Sequence, residues 1–179
     1  MTRRTPLLLL AATFVASHAA ALVPQASPLN AKACMGTWYV QHQKPALAVL
    51  ESGGRNGIEE YTWDDAEDRF SVTYSFNRKG AADDQLTTVN QRGWVEADTE
   101  WRVAPLIGGR TPPFVRLPFI IIDCDPETHM VCSGGLSSWM YLMTRERQPD
   151  AALVDSLLTK VQAAGFDMSK VEPMVHDVE

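Results

Sequence analysis

The stretch Gly36-Thr37-Trp38-Tyr39 opens the first strand-like run of the chain and decides how the fold is interpreted. A glycine lets the backbone turn tightly. The tryptophan two residues later can bury a large ring, but its indole N–H group still needs a hydrogen-bond acceptor. A Gly-x-Trp pattern at the entry to a β-strand therefore predicts a plug at one end of a small barrel.

Downstream of this motif, the chain has the pattern of many short strands separated by turn signals. Phe70, Val72, Tyr74 and Phe76 alternate with small hydroxyl residues, and this period of two places the four apolar groups on one face of a strand. The predicted strands are 36–43, 57–63, 69–77, 86–95, 100–104, 117–123, 129–133 and 138–146. Short strands joined by hairpin-scale links indicate an up-and-down antiparallel barrel or a sandwich. A closed eight-stranded barrel would have room inside for one small ligand.

A single amphipathic helix is predicted after the strands, at 149–164. Leu153, Leu157 and Val161 recur at the spacing of one helix face. Because only one helix follows the strands, its apolar stripe must pack on the outside of the sheet or barrel. The residues after it, 165–179, are predicted to form a C-terminal extension.

The N-terminus has the three parts of a cleavable signal peptide. Arg3 and Arg4 supply positive charge, 7–15 form a short apolar core, and Ala19-Ala20-Ala21 offers a small-residue cleavage site. The apolar run is too short for a helix that spans a bilayer. We therefore predict a signal peptide at 1–21, followed by an irregular segment at 22–35.

Composition argues against several classes of partner and chemistry. The chain has 179 residues and a formal net charge of −6, and its leader holds two arginines and no acid, so the mature chain is more acidic still. An acidic chain without a basic stripe argues against binding to nucleic acid or to anionic lipid surfaces. No phosphate loop, dinucleotide fingerprint or serine nucleophile elbow is present. His42, His129 and His176 are isolated, so neither a metal site nor a cofactor is expected.

Two further stretches are expected to lie at the same end of a barrel as the Gly36-x-Trp38 motif. Asp123-Cys124-Asp125 ends the sixth strand at a tight turn, and Tyr141 to Arg145 close the eighth strand. In an up-and-down barrel, the start of strand one, the turn after strand six and the end of strand eight lie at the same end. The guanidinium of Arg145 could then cover the Trp38 ring and hydrogen-bond to nearby carbonyl groups. We assign structural roles to Gly36, Trp38, Asp123 and Arg145.

On these residues the chain resembles the lipocalins, whose three short signatures match Gly36-x-Trp38, the Asp123 turn and Arg145. Within that family it looks most like the branch of the bacterial outer-membrane lipocalin, apolipoprotein D and the plant temperature-induced lipocalins, mainly through Gly165 to Lys170 after the helix. The resemblance implies an all-β fold. The expected architecture is an eight-stranded up-and-down antiparallel β-barrel over 36–146 with one C-terminal α-helix packed outside.

The same resemblance implies binding rather than catalysis. The expected ligand is a small hydrophobic molecule, such as a fatty acid, lysolipid, sterol, retinoid or carotenoid-like compound, which a monomer would transport or scavenge. One alternative is an enzyme on a lipocalin barrel, such as a lipid or carotenoid isomerase or de-epoxidase, which needs an acid or base inside the cavity; the third strand offers only Tyr74. Another is a structural subunit in peripheral contact with a membrane or pigment complex, docked through the proline- and glycine-rich loop 105–118.

If the barrel is correct, every second residue of each strand faces its interior. On the last strand, for example, Trp139, Tyr141 and Met143 share a face. The expected ligand-binding residues are Phe70, Val72, Tyr74, Phe76, Trp101, Val103, Trp139, Tyr141 and Met143.

Three cysteines, Cys34, Cys124 and Cys132, permit one disulfide and leave one thiol over in an oxidising compartment. Cys124 and Cys132 are out of register across a hairpin that turns at 125–128, which disfavours a bond between them. We predict Cys34–Cys124, with Cys34–Cys132 as the rival. A related bridge from the N-terminal segment to strand seven occurs in apolipoprotein D-like proteins.

The leader directs the chain into the secretory route, to an extracellular or lumenal location. Ala19 to Pro24 also resemble the motif at the signal/transit junction of proteins sent to the complex plastids of some algae, with Leu22 in place of the usual Phe. Delivery to an algal plastid through a bipartite leader is therefore the alternative. Pigments or oxidised membrane lipids would be natural ligands there.

Overall fold

A computed structural model describes residues 28–135 and 138–177. The predicted signal peptide at 1–21 lies outside the described residues, as do 22–27 of the irregular segment before the first strand and the last two residues of the C-terminal extension. No helix in the described ranges is long and apolar enough to cross a membrane.

Eight antiparallel strands close into a barrel. The strands are β1 (Gly36–Lys44), β2 (Arg55–Asp64), β3 (Arg69–Asn77), β4 (Leu86–Val95), β5 (Glu100–Pro105), β6 (Leu117–Asp125), β7 (His129–Ser133) and β8 (Met140–Thr144). Each strand pairs with the next along the chain, and β1 pairs with both β2 and β8. This closure confirms the predicted up-and-down barrel and excludes the sandwich. A short ninth strand, β9 (Glu172–Pro173), adds to β1 at His42 and Gln43.

Two helices accompany the barrel in the described part of the chain, besides a 3₁₀ turn at Ala31–Cys34. The predicted C-terminal helix is α2 (Ala151–Ala163), which starts two residues later than 149 because the Asp150 side chain caps it by accepting a hydrogen bond from the Ala152 N–H at 2.9 Å. The short helix α1 (Ala48–Glu51) was not predicted, since four residues are too few to produce an amphipathic repeat.

Successive residues of β8 alternate between two apolar cores. Tyr141 and Met143 point into the barrel, whereas Met140 and Leu142 point outward beneath α2. All five residues of β8 are consequently buried. The outer core is completed from the helix side chiefly by Leu157 and Val161, as the helical repeat predicts.

The barrel has two different ends. The closed end carries the start of β1, the β6–β7 turn and the end of β8. The open end carries the loops 45–54, 78–85, 106–116 and 134–139, of which the last includes two residues outside the described part. The half of the barrel nearer the closed end is filled by aromatic rings: Phe70 lies 5.1 Å from Trp101 and 5.9 Å from Tyr61 between ring centroids.

Gly93 makes room for one of these rings. It pairs directly with Phe70 across β3 and β4. A Cβ atom at Gly93 would lie 2.1 Å from Cζ of Phe70, well inside van der Waals contact. Only a residue without a side chain allows the Phe70 ring to lie flat across the neighbouring strand.

We expect Gly93→Ala to lower the free energy of unfolding by about 1–3 kcal/mol, because the added methyl group overpacks the core. Urea denaturation measures this loss. In a Phe70→Leu background the same change should have a smaller effect, since the ring that clashes is gone. An equal loss in both backgrounds would contradict the assignment of the clash to Phe70.

Candidate functional site

The closed end of the barrel is sealed by Arg145. Its guanidinium lies over the Trp38 ring, 3.6 Å from the ring centroid. It also donates hydrogen bonds of 2.8 Å to the carbonyl oxygens of Met35, Thr37 and Pro126. A single cation therefore ties the end of β8 to the start of β1 and to the β6–β7 turn.

Two backbone features make this seal possible. Gly36 has φ +98°, a left-handed conformation that side-chain-bearing residues rarely adopt, and a Cβ there would lie 3.3 Å from Nη1 of Arg145. The indole N–H of Trp38 donates a 2.8 Å hydrogen bond to the carbonyl of Cys34, so the ring is fully buried without an unpaired polar atom.

Asp123 lies near the closed end but does not take part in the seal. Its carboxylate faces α2 and accepts a 2.5 Å hydrogen bond from Nζ of Lys160. The β6–β7 turn is instead capped by Asp125, whose side chain accepts from the Glu127 N–H at 3.0 Å. The sixth strand continues two residues beyond its predicted end, which places Asp123 inside the strand rather than in the turn.

A cavity of about 180 Å³ occupies the half of the barrel nearer the open end. Its walls come from the loop 45–54 and from strands β2 to β6 and β8, together with the loop before β8. Of the residues expected to bind ligand, five line this cavity: Val72, Tyr74, Val103, Trp139 and Tyr141.

The other four expected residues are inward-facing but lie away from the cavity. Phe70, Trp101 and Met143 belong to the buried core of the barrel, and Phe76 stacks on Tyr74 at 4.8 Å between ring centroids. Strand parity identifies the inner face of a strand but not the depth along the barrel at which side chains leave space. The aromatic cluster around Phe70, for whose ring Gly93 leaves room, fills the closed half.

Several residues at the cavity were missed from the sequence. The missed lining residues are Ala46, Leu47, Glu51, Glu59, Tyr61, Val89, Gln91, Pro105, Leu117 and Phe119. A signal existed for Glu59 and Tyr61, because they share the parity of an inward-facing face of β2. No such signal existed for Glu51, which reaches the cavity from α1.

Glu51 holds α1 over the mouth of the cavity. Its carboxylate accepts hydrogen bonds from the Tyr141 hydroxyl and from the Leu47 N–H, the latter at 3.2 Å. Burial raises the pKa of Glu51 above its usual value, and the hydrogen bond from Tyr141 opposes this shift. Burial therefore disfavours the ionised form of Glu51, because the charged carboxylate loses contact with water.

Glu59 lies deeper, on β2, and is 3% exposed. The Tyr61 hydroxyl donates a 2.5 Å hydrogen bond to its Oε2. Burial raises the pKa of Glu59 to about 7; the hydrogen bond from Tyr61 lowers this pKa and the nearby charge of Glu51 raises it. The third strand offers only Tyr74 as an acid–base group, as the sequence indicates, but Glu51 from α1 and Glu59 from β2 line the same cavity.

The predicted cysteine pair lies beside the closed end. Sγ of Cys34 and Sγ of Cys124 are 3.7 Å apart, and all three cysteines are thiols in this structure. Cys132 lies apart from this pair, with its Sγ 3.8 Å from the Tyr141 carbonyl oxygen. The pKa of Cys34 is lowered, mainly by the hydrogen bond with Cys124, and the charge of Arg145 adds to this effect.

Apolar side chains surround the open end. Val49 and Phe114 are fully exposed, and Ile107 is 69% exposed. Leu47, Leu86 and Leu117, also exposed, lie on or beside the same loops. The loop 105–118, singled out in the sequence, thus contributes to the rim of the mouth.

Comparison with protein families settles which fold family this geometry belongs to. The family model described as a lipocalin-like domain matches residues 29–176. The chain belongs to the lipocalin family. No curated protein matches the sequence significantly. The narrower resemblance to the bacterial lipocalin and apolipoprotein D branch stays a prediction.

Solved lipocalin structures share the barrel at low sequence identity. Insecticyanin from the tobacco hornworm Manduca sexta has a TM-score of 0.64 at 16% identity, covering 88% of this chain and 85% of its own. The cockroach allergen Per a 4 gives 0.63 at 14% identity, with 87% and 93% coverage. Lobster apocrustacyanin A1 gives 0.59 at 13% identity, with 83% and 81% coverage. At these identities the similarity shows a common fold.

We expect the purified chain, treated with oxidised glutathione, to form a Cys34–Cys124 disulfide, since the two sulfur atoms are already only 3.7 Å apart. Peptide mapping without reduction identifies the bond, and reduction should lower the free energy of unfolding by about 2–4 kcal/mol. The effect of reduction should persist in Cys132→Ser and disappear in Cys124→Ser. A linked peptide that contains Cys132 would contradict this pairing.

Proposed function

We propose that this protein binds a small, largely apolar molecule inside the barrel and carries or sequesters it. The observation that supports this proposal is the cavity itself, which has a sealed floor on one side and an open end on the other. Val72, Val89 and Val103 give it apolar walls, and Trp139 and Phe119 add aromatic surface. Burial of apolar ligand surface there would contribute about 25 cal/mol per Å² to binding.

The size of the cavity favours a compact ligand. A volume of about 180 Å³ is smaller than the roughly 300–1,000 Å³ of most small-molecule pockets. Long acyl chains, sterols, retinoids and carotenoids from the expected ligand set would require α1 or the rim loops to move. A molecule with a single ring or a short branched chain fits without such a movement.

A second candidate function is acid–base catalysis on the bound molecule. Glu59 favours it, because a carboxyl group whose pKa is raised to about 7 can both donate and accept a proton near neutral pH. Recovery of a bound compound in chemically unchanged form would support the binding role over this one. For the cellular setting, we propose that a monomer enters the secretory route through its leader, with the algal plastid as the alternative destination.

The binding proposal is tested by filling the cavity. Val89 lines it from β4, whereas the neighbouring Thr88 is exposed on the outer face of the same strand. We expect Val89→Trp to weaken binding of the neutral probe ethylbenzene by about tenfold or more, because the indole takes up the free volume. A tenfold loss of affinity corresponds to about 1.4 kcal/mol of binding free energy. Isothermal titration calorimetry measures the affinity.

Thr88→Trp is the matched control, and it should bind ethylbenzene as the unmodified protein does. Equal loss in both variants would refute the assignment of the site to this cavity. A wild-type barrel that takes up no apolar probe would instead favour the third role, in which the exposed apolar loop 105–118 docks on a membrane or pigment complex.

A further inference from the structure

Among the described residues, the cavity is lined by two carboxyl groups and by no positively charged side chain. Glu51 and Glu59 are the only ionisable residues in this described lining apart from tyrosines. The titratable groups that face Glu59 are Glu51 from α1, Tyr61 from β2, Tyr74 from β3, Cys132 from β7 and Tyr141 from β8. Within 28–135 and 138–177, no cation is among the groups that shift the pKa of either carboxyl.

Several acidic residues elsewhere in the described protein have cationic partners. Asp123 pairs with Lys160 at 2.5 Å, Asp167 with Lys44 at 2.8 Å, and Asp177 with Arg55 at 2.9 Å. These pairs lie at or near the surface, where an unpaired carboxylate is readily solvated by water. The two buried carboxyl groups, which need a counter-charge most, have no cationic partner among the described residues.

Glu59 also has unused capacity for hydrogen bonds. An ionised carboxylate offers about four acceptor positions. Among the described groups, the Tyr61 hydroxyl is the one donor to this carboxylate, and it binds Oε2. Oε1 therefore accepts no hydrogen bond from the described protein, although the side chain is 97% buried and lines the cavity. A donor on a ligand would complete this site.

We propose that the natural ligand is a small protonated amine with a compact apolar or aromatic body, its ammonium group bound to Glu59 and Glu51. This inference rests on the proposed function and specifies the ligand class. The ammonium would supply both the missing hydrogen-bond donors and the missing positive charge. Tyr74 and Trp139 add aromatic surface that attracts a cation, and the apolar walls accommodate the body of the ligand.

The same charges exclude an anionic head group. A fatty-acid carboxylate in this cavity would meet two carboxyl groups of the protein in surroundings of low dielectric constant, where like charges repel strongly. Fatty acids, the first members of the expected ligand set, are therefore disfavoured in the position beside Glu59.

Binding of the amine is linked to proton release. The pKa of free Glu59 is raised to about 7, so a fraction of the molecules carry a neutral carboxyl at neutral pH. An ammonium group favours the ionised form, and its affinity should rise as the pH increases from about 5.5 to about 8. Glu51, whose pKa is also raised, reinforces this trend. An uncharged ligand has no comparable dependence.

The test compares three compounds of similar size and different head group: 2-phenylethylamine, 2-phenylethanol and 3-phenylpropionate. Calorimetric titration of the whole protein at pH 8 should give an affinity for the amine about tenfold or more above that for the alcohol, with the carboxylate weakest. Between pH 5.5 and 8 the affinity for the amine should rise, while that for the alcohol stays constant.

Glu59→Gln should remove most of the preference for the amine over the alcohol, since it removes the charge and keeps the shape of the side chain. Glu60→Gln is the matched control, because Glu60 follows on the same strand and is exposed. It should behave as the wild type. Circular dichroism checks that both variants fold, and the pH series on the wild type tests the inference without any variant.

The outcomes separate the two proposals. If ethylbenzene and the alcohol bind but the amine binds no better at any pH, the amine inference is overturned and the apolar binding function stands. An amine preference that survives Glu59→Gln in a folded variant also overturns it. If none of the probes binds, the proposed function itself is refuted.

Discussion

The stacking of the Arg145 guanidinium on the Trp38 ring is the interaction on which the asymmetry of this barrel depends. Hydrogen bonds from this guanidinium to four backbone carbonyl oxygens join the start of the first strand, the turn between the sixth and seventh strands, and the end of the eighth strand. Gly36 admits the guanidinium by leaving out a side chain. Because this end is closed and the adjoining half is filled around Phe70 and Trp101, the free volume lies towards the other end.

That free volume combines an apolar wall with an unusual polar composition. Glu51 holds α1 beside the mouth by accepting a hydrogen bond from Tyr141, and Glu59 lies deeper with its pKa raised to about 7 by burial. A protein interior does not retain carboxyl groups without counter-charges for the sake of packing alone, because each buried charge loses solvation. We therefore propose that both groups serve ligand binding, in addition to the structural hydrogen bonds that Glu51 accepts from Tyr141 and Leu47.

Much of the fold could be predicted from the sequence, because closed barrels impose a strict alternation on their strands. The alternation from Phe70 to Phe76 identified the inner face of β3, and the lipocalin signatures placed Trp38 and Arg145 at one end. Alternation does not show at which height along the barrel axis free space remains, because that depends on how the inward-facing side chains fill the interior together. For this reason Phe70 and Trp101 were expected at the ligand but fill the closed half. Glu51 could not be predicted as a cavity residue, because the single turn of α1 is too short to give a recognisable sequence pattern.

The decisive measurement is the titration of the Glu59 carboxyl group, followed by ¹³C NMR of the free protein and of the protein saturated with 2-phenylethylamine. We expect a pKa of about 7 for Glu59 in the free protein. With the amine bound we expect this pKa to fall by about one unit or more, since a nearby cation favours the ionised form. A Glu59 carboxyl that titrates near the ordinary value of 4.5 in both samples would refute the proposed amine site.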